Sequence, residues 1–329
     1  MANIVYRPLG ESGLSVSAVG LGCMSLSGVY GAAEDAPSEA LIQHAIDSGI
    51  NHLDTSDMYG WGHNEEVVGR AIGGSRRDKV VLATKFGQVR AEDGTNRVSG
   101  RPDHVRAACD ASLRRLGVDV IDLYYQHRVD PDVPVEDTVG EMSRLIERGK
   151  VRFLGLSEAR PERIRRAHAT HPIAAVQTEY SILYRTEAEE TRETTRELGI
   201  GFVAYAPLGR GFLTGAITDL SDIDGRRAAH PRFQAEHFAH NRALAAKIEA
   251  IAVRRGYSPS QLTLAWLLAQ GDDVVAIPGT RYAARLDENA AAMHVTLSPS
   301  EIEEISEAVP MGSASGQRYP SGAMKTVYL

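Results

Sequence analysis

Residues 119–128, DVIDLYYQHR, hold an apolar run, Val120–Gln126, that stops on His127. A run so poor in polar alternation reads as a strand buried on both faces, as in a parallel sheet. Similar runs at Ala18–Gly22, Ile50–Asp54, Val80–Thr84, Val151–Leu156, Ile173–Gln177, Gly201–Tyr205 and Val274–Ile277 make eight strand candidates in all. Helical stripes lie between them: Leu41, Ile42, Ala45 and Ile46, then Val105, Ala108, Cys109, Ser112, Leu113 and Leu116. Val139, Met142, Leu145 and Ile146 form another, and Leu244, Ile248, Ile251 and Ala252 a later one. Pro102-Asp103 opens the second stripe, and Gly117 and Gly149 close the second and third. Repeated strand–helix units predict an α/β fold, a (β/α)8 TIM barrel. The reading adds an N-terminal hairpin within Tyr6–Ser17 and extra C-terminal helices. No linker divides residues 1–329, so one domain is expected.

Composition narrows the partners. The 329 residues are 43% hydrophobic and 24% charged, as in an ordinary soluble protein. A net charge of −7 and a pI near 5.9 argue against nucleic acid or an anionic membrane as the partner. The longest apolar stretch, Leu262–Ala269, is too short to span a bilayer, and MANIVYRPLG does not read as a signal peptide. Two cysteines, Cys23 and Cys109, make no disulfide framework, so a cytoplasmic location is expected.

In a barrel of this kind the site gathers at the C-terminal ends of the strands. Asp54, Lys85, His127, Ser157, Gln177 and Tyr205 end or directly follow the second to seventh runs, and Tyr59 comes five residues after Asp54. Tyr59 is the candidate general acid. A phenol with a pKa near 10 is a poor donor at neutral pH, and lowering it by about two units takes roughly 2.7 kcal/mol of preference for the phenolate. The Lys85 ammonium can supply that preference, Asp54 can hold Lys85, and His127 can bond a substrate oxygen. Met24, Tyr30, Met58, Trp61, Phe86 and Arg128 flank the same mouth and are candidates for the substrate pocket.

This constellation resembles the aldo-keto reductases over nearly the whole chain. The resemblance is carried by LDTSDMYGWGHNEEVVGRAI (53–72), DLYYQHRVDPDVPVEDTVGEM (122–142), GLSEA (155–159), QTEYS (177–181), AYAPLGRGFLTG (204–215) and IPGTRYAARLDENAAA (277–292). It is nearest to the bacterial and plant single-chain branch with an extended seventh loop. The resemblance implies NADPH-dependent reduction of a small-molecule aldehyde or ketone, with Asp54, Tyr59, Lys85 and His127 as the catalytic tetrad and no metal. It further implies that Ser157 and Gln177 hold the nicotinamide carboxamide and that Tyr205 stacks on the ring. Gly22, Cys23 and Met24 would border the cofactor from the first strand. Glu158 stands where the family often has Asn. By the same resemblance Pro207, Leu208, Gly209, Arg210, Gly211 and Leu213 would wrap the pyrophosphate. Ile277, Gly279, Thr280, Arg281 and Arg285 would lead to the adenosine 2′-phosphate, and Glu288 and Asn289 to the adenine. Other members of the fold act as NADPH-sensing subunits or run as alcohol dehydrogenases, and both stay open as alternatives.

Several local signals lead elsewhere. Gly20–Ser25 lacks the third small residue of a dinucleotide fingerprint, so no Rossmann domain is expected. His168/His171 and His237/His240 have metal-like spacing without a third ligand nearby. The stretch from Ala216 to about His240 reads as a long irregular loop with too few large apolar residues to offset its ordering entropy, hence mobile until a cofactor is bound. Arg90–Gly100 reads as a second, polar excursion.

Overall fold

Leu9, Leu14 and Val16 explain how the barrel is sealed at one end. In the computed structural model, which describes residues 3–28, 33–91, 94–223 and 225–329, β1 (Tyr6–Pro8) and β2 (Ser15–Ser17) pair antiparallel as the predicted hairpin. The ring begins with β3 (Leu21–Gly22), β4 (His52–Asp54) and β5 (Val81–Phe86). After a hairpin of β6 (Gln88–Arg90) and β7 (Asn96–Val98) it continues with β8 (Ile121–Gln126), β9 (Val151–Ser157), β10 (Ile173–Glu179), β11 (Gly201–Tyr205) and β12 (Val274–Ile277). The eight ring strands are parallel, each beside the ring strand before it in sequence. A Val19–Ala276 bridge joins the last strand to the first, with Ala18 O accepting from Ala276 N at 2.9 Å. A side chain at Gly22 would come within 2.7 Å of Ile277 O, so glycine is needed where the seam closes.

Inward-facing Val81, Ala83, Leu123, Tyr125, Ala175, Val203, Val275 and Ile277 fill the ring, and Leu9, Leu14 and Val16 of the hairpin pack on them as a plug. The outer layer consists of α1 (Asp35–Asp47), α2 (His63–Ala71), α3 (Pro102–Leu116), α4 (Val135–Glu147), α5 (Pro161–Thr170), α6 (Thr186–Glu197), α7 (Ala235–Arg255), α8 (Pro259–Leu268) and α9 (Ala283–Ala291). Leu262–Leu268 of the apolar run lie in α8, buried among α7, α9 and β12. Then α10 (Pro299–Ala308) and the short α11 (Ser321–Met324) complete the chain.

Three expectations change. Helix α7 starts at Ala235 and puts Phe238, Asn241, Leu244, Ala245 and Ile248 on its buried face, so the irregular stretch ends before His240. That stretch also buries more than its composition suggests, since Phe233 stacks on Phe212 at 4.5 Å and Ile217, His230 and Arg232 are buried. Strand β5 runs through Lys85 to Phe86. Alternation then sends Lys85 inward and Phe86 outward, where it stacks on Tyr124 at 4.9 Å behind the sheet, so Phe86 does not line the mouth.

The plug should be worth a typical core contact. Leu9→Ala removes a fully buried side chain and should cost about 2–5 kcal/mol of unfolding free energy. Urea denaturation measures it, and a loss well under that range would mean that the hairpin is dispensable to the barrel.

Candidate active site

The loop after β4 turns sharply because of its own sequence. Tyr59 N donates to Ser56 O at 3.1 Å, and Gly60, Trp61 and Gly62 then take positive φ values of 59°, 53° and 101°. A side chain at Gly62 would meet Arg115 Cδ at 2.6 Å, so glycine lets α2 fold back over α3. Thr55 Oγ1 donates to Asn64 Oδ1 at 2.6 Å and Asn64 Nδ2 to Cys23 O at 2.9 Å, tying this loop to the turn that follows β3.

The four residues of the predicted tetrad converge. Lys85, fully buried, donates to Asp54 and, at 2.8 Å, to Thr55 O. Its Nζ lies 5.3 Å from the centre of the Tyr59 ring. The Tyr59 and His127 rings meet edge-on with centroids 5.9 Å apart. Burial pulls the Lys85 ammonium below its ordinary pKa, while the Asp54 charge pulls the other way. Burial, then the charges of Arg128 and Lys85, push His127 well below the usual imidazole range, so it is neutral at physiological pH. Sequence reasoning missed Ser56, whose hydroxyl is 3.0 Å from His127 Nδ1 and also accepts from Met58 N at 3.3 Å. Burial, then the Asp54 charge, raise the Cys23 thiol to about 12, which makes Cys23 a small core filler rather than a nucleophile.

A second network occupies the other side of the mouth. Glu158 accepts from Arg318 Nη1 and Nη2, both at 2.8 Å, from the Tyr205 hydroxyl at 2.8 Å and from Glu179 N at 3.0 Å. Glu179 accepts from Arg210 at 2.9 Å and Arg232 at 3.2 Å. Burial alone would raise the Glu179 carboxyl, but Arg210, Arg232, Arg318 and His230 bring it down to about 2. Among the described residues, the non-glycine positions with positive φ are Trp61, Glu158, Ala206, Arg210 and Tyr328. Four of these border the mouth and Tyr328 adjoins it in the tail. Such conformations cost of order 1–3 kcal/mol each and persist only where surrounding contacts enforce them.

Comparison with known proteins gives the family. The profile of the Aldo/keto reductase family matches residues 18–310. The chain belongs to that family. It is 47% identical over 323 residues to "Probable aldo-keto reductase 1" of Glycine max, covering 98% of this chain and 93% of the relative. A glycerol dehydrogenase from Gluconobacter oxydans superposes with a TM-score of 0.82 at 29% identity, covering 94% of this chain and 95% of that one. The holo form of an aldo-keto reductase from Bacillus halodurans gives 0.79 at 28%, covering 97% and 99%. As an aldo/keto reductase the chain is an oxidoreductase of small carbonyl compounds and uses a nicotinamide cofactor.

Within this aldo/keto reductase the expected cofactor residues divide. Ser157 lies at the mouth beside Arg128, whose Nη1 is 3.3 Å from its hydroxyl and 2.7 Å from His127 O. Gln177 donates its amide to Asp54 at 2.8 Å, which ties it to the tetrad. The N–H groups of Gly209, Gly211 and Leu213 are used inside their own turn, on Ala206 O and Leu208 O, and Leu213 is buried in the core. Those three donors are therefore not turned outward to a pyrophosphate. Pro207 is buried next to them and Leu208 half-buried. Gly279 and Thr280 adjoin Gly22 and Ser25 across the barrel seam, where Ser25 donates to Thr280 O at 3.0 Å. Arg281 and Arg285 flank the exposed Tyr282 ring at 5.8 and 5.1 Å, at the start of α9. Asn289 is buried on that helix and Glu288 half-buried. Around the mouth Met24 and Met58 are half-buried and Trp61 is 44% exposed. Tyr30 falls outside the described residues.

Acid titration tests the second network. Folded Glu179 titrates near 2 and an unfolded glutamate near 4.5. Its ion pairs therefore stabilise the fold in full above the ordinary carboxylate range, and that contribution fades as pH falls from about 4.5 towards 2. Glu179→Gln should melt lower at pH 7 and lose less stability across that acid window, as read by calorimetry. Equal acid slopes in both proteins would remove Glu179 from the account.

Proposed function

We propose that this aldo/keto reductase uses NADPH to reduce aldehydes or ketones to alcohols, with Tyr59 as proton donor and the whole chain acting as one barrel unit. The observation that carries the reading is the convergence of Lys85, Asp54, Tyr59 and His127 at one mouth. The charge of the mouth suits an anionic dinucleotide. Among the described residues, Arg128, Arg210, Arg232 and Arg318 gather around Glu158 and Glu179, and forked guanidinium donors suit phosphate oxygens. Ser157 and Tyr205 would hold the nicotinamide end, with Gly22 and Met24 alongside. Arg281 and Arg285 would take the 2′-phosphate, since a forked, permanently charged donor suits that group. When bound, the cofactor supplies the hydride.

The protein's own residues do the rest. The Lys85 charge favours the Tyr59 phenolate that remains once its proton has moved to the carbonyl oxygen. Ser56 engages His127 Nδ1, so Nε2 is the ring nitrogen left to orient that oxygen, and the neutral imidazole adds no competing charge. The same steps run backwards for alcohol oxidation, a direction that the similarity to a glycerol dehydrogenase keeps in view.

Two variants test this. Tyr59→Phe should lower kcat for aldehyde reduction by at least about 10²-fold, a general acid's usual share, with little change in NADPH affinity. Near-normal turnover would remove Tyr59 from the chemistry. Arg285→Ala should weaken NADPH binding by about 1.5–3 kcal/mol and spare NADH, as expected for a lost charge-assisted contact. Equal losses for both cofactors, measured by fluorescence titration, would place Arg285 away from the 2′-phosphate.

A further inference from the structure

The C-terminal tail crosses the molecule to reach the mouth. Residues 313–315 first dock on α7. Ser315 N donates to Asn241 Oδ1 at 2.8 Å, Asn241 Nδ2 to Ser315 O at 2.9 Å, and His240 Nε2 lies 2.7 Å from Ser313 O. Arg318 then turns inward. It is 2% exposed, in a tail whose other residues are partly exposed except Val327. Its guanidinium forks onto Glu158, lies 4.3 Å from the centre of the Tyr184 ring, and its carbonyl meets His230 Nδ1 at 2.6 Å. The Tyr319 hydroxyl is 3.0 Å from the Tyr205 hydroxyl, and its ring lies 4.8 Å from the Arg210 guanidinium. The chain end returns to the same place, with Leu329 N donating to Glu158 O at 3.1 Å and Arg160 N to Leu329 O at 2.8 Å.

The hydrogen-bond accounting gives this strap a direction. A phenol has one proton to donate. Tyr205 donates it to Glu158, an acceptor-only carboxylate, so its oxygen is left to accept from the Tyr319 hydroxyl. A chain of donors thus runs from Tyr319 through Tyr205 to Glu158, and Arg318 fixes its far end. A ring held only by packing is free to tilt, whereas one bonded twice through its hydroxyl has a defined plane.

We propose that Arg318 and Tyr319 are positioning residues of the cofactor site, which set the Tyr205 ring against the nicotinamide through Glu158. The inference rests on the reading that Tyr205 faces that ring. It also gives Glu158 a role: its carboxylate is engaged by the strap and by Tyr205, and so anchors the tail rather than the carboxamide.

Calorimetric titration of the full-length protein with NADP+ and with adenosine 2′,5′-bisphosphate, which lacks the nicotinamide, separates this role from simple support. Tyr319→Phe should weaken NADP+ about 3–10-fold, the loss of one hydrogen bond, and leave the bisphosphate and Tm essentially unchanged. Arg318→Met should weaken NADP+ further. If it folds poorly, the double variant Glu158→Gln/Arg318→Met removes both charges, and it should show the same selective loss. Unchanged NADP+ affinity in Tyr319→Phe, with a clear loss in Tyr205→Ala, would overturn the role of the tail and keep the reading of Tyr205. Parallel losses for NADP+ and the bisphosphate would overturn it too, by making the strap merely structural. Unchanged NADP+ binding in Tyr205→Ala would instead overturn the stacking role on which the inference rests.

Discussion

Lys85 carries a charge out of water into the centre of a β-barrel, and much of the mouth follows from how that charge is compensated. The desolvation penalty is several kcal/mol per ion. Here it is offset by Asp54, by the Thr55 carbonyl at 2.8 Å, and by the faces of Tyr59 and Tyr125 at 5.3 and 5.9 Å. The arrangement depends on register. Asp54 pairs with Ala83, so Asp54 and Lys85 both point inward, one pleat apart. A one-residue slip of either strand would turn its own member of the pair outward. Tyr125 can lie across the interior because position 155 on the next strand is glycine, where a Cβ would come within 2.4 Å of its ring carbons. Gln177 reaches the other oxygen of Asp54 from the far side of the ring. The carboxylate that steadies the ammonium is itself held from two sides.

The second network solves a different problem. The Lys85–Asp54 pair is balanced, one charge against one. Around Glu158 and Glu179 several guanidinium groups share two buried carboxylates, and the backbone there is strained at Glu158, Ala206 and Arg210. Such strain survives only where contacts over-determine it. The forked Arg318–Glu158 pair, the Tyr205 hydrogen bonds and the return of Leu329 to Glu158 O are contacts of that kind. Strained backbone and clustered charge occur together because both serve to hold polar groups in fixed directions beside the same opening.

Much of the fold was legible because barrel strands are apolar on both faces, and the eight runs correspond to the eight ring strands with shifts at their ends. Phe86 shows where the reading went wrong and how it could have gone right. Once Lys85 is taken as inward, alternation alone sends Phe86 outward. The start of α7 was likewise readable, since Phe238, Leu244, Ala245, Ile248, Ile251 and Ala252 share one helical face that extends the recognised stripe backwards. The meeting of Asp54, Tyr59, Lys85 and His127 was legible because they stand at or near the C-terminal ends of strands, which in a parallel barrel share one mouth. The part played by Ser56 was not, because it depends on the meeting of two loops.

Arg318 marks the limit of such reading. In sequence, GQRYP is a polar turn like many others, and its partners Glu158 and Tyr205 lie 160 and 114 residues away from Arg318 and Tyr319 respectively. Local propensity cannot encode a contact whose whole energy comes from a distant buried carboxylate. What makes the pairing stable is an asymmetry. An isolated charge at Glu158 would be costly at that depth, and so would one at Arg318, whereas the two together also satisfy a tyrosine and a backbone amide. Each residue is therefore conditional on the other, and an otherwise partly exposed tail carries one of the most deeply buried cations among the described residues.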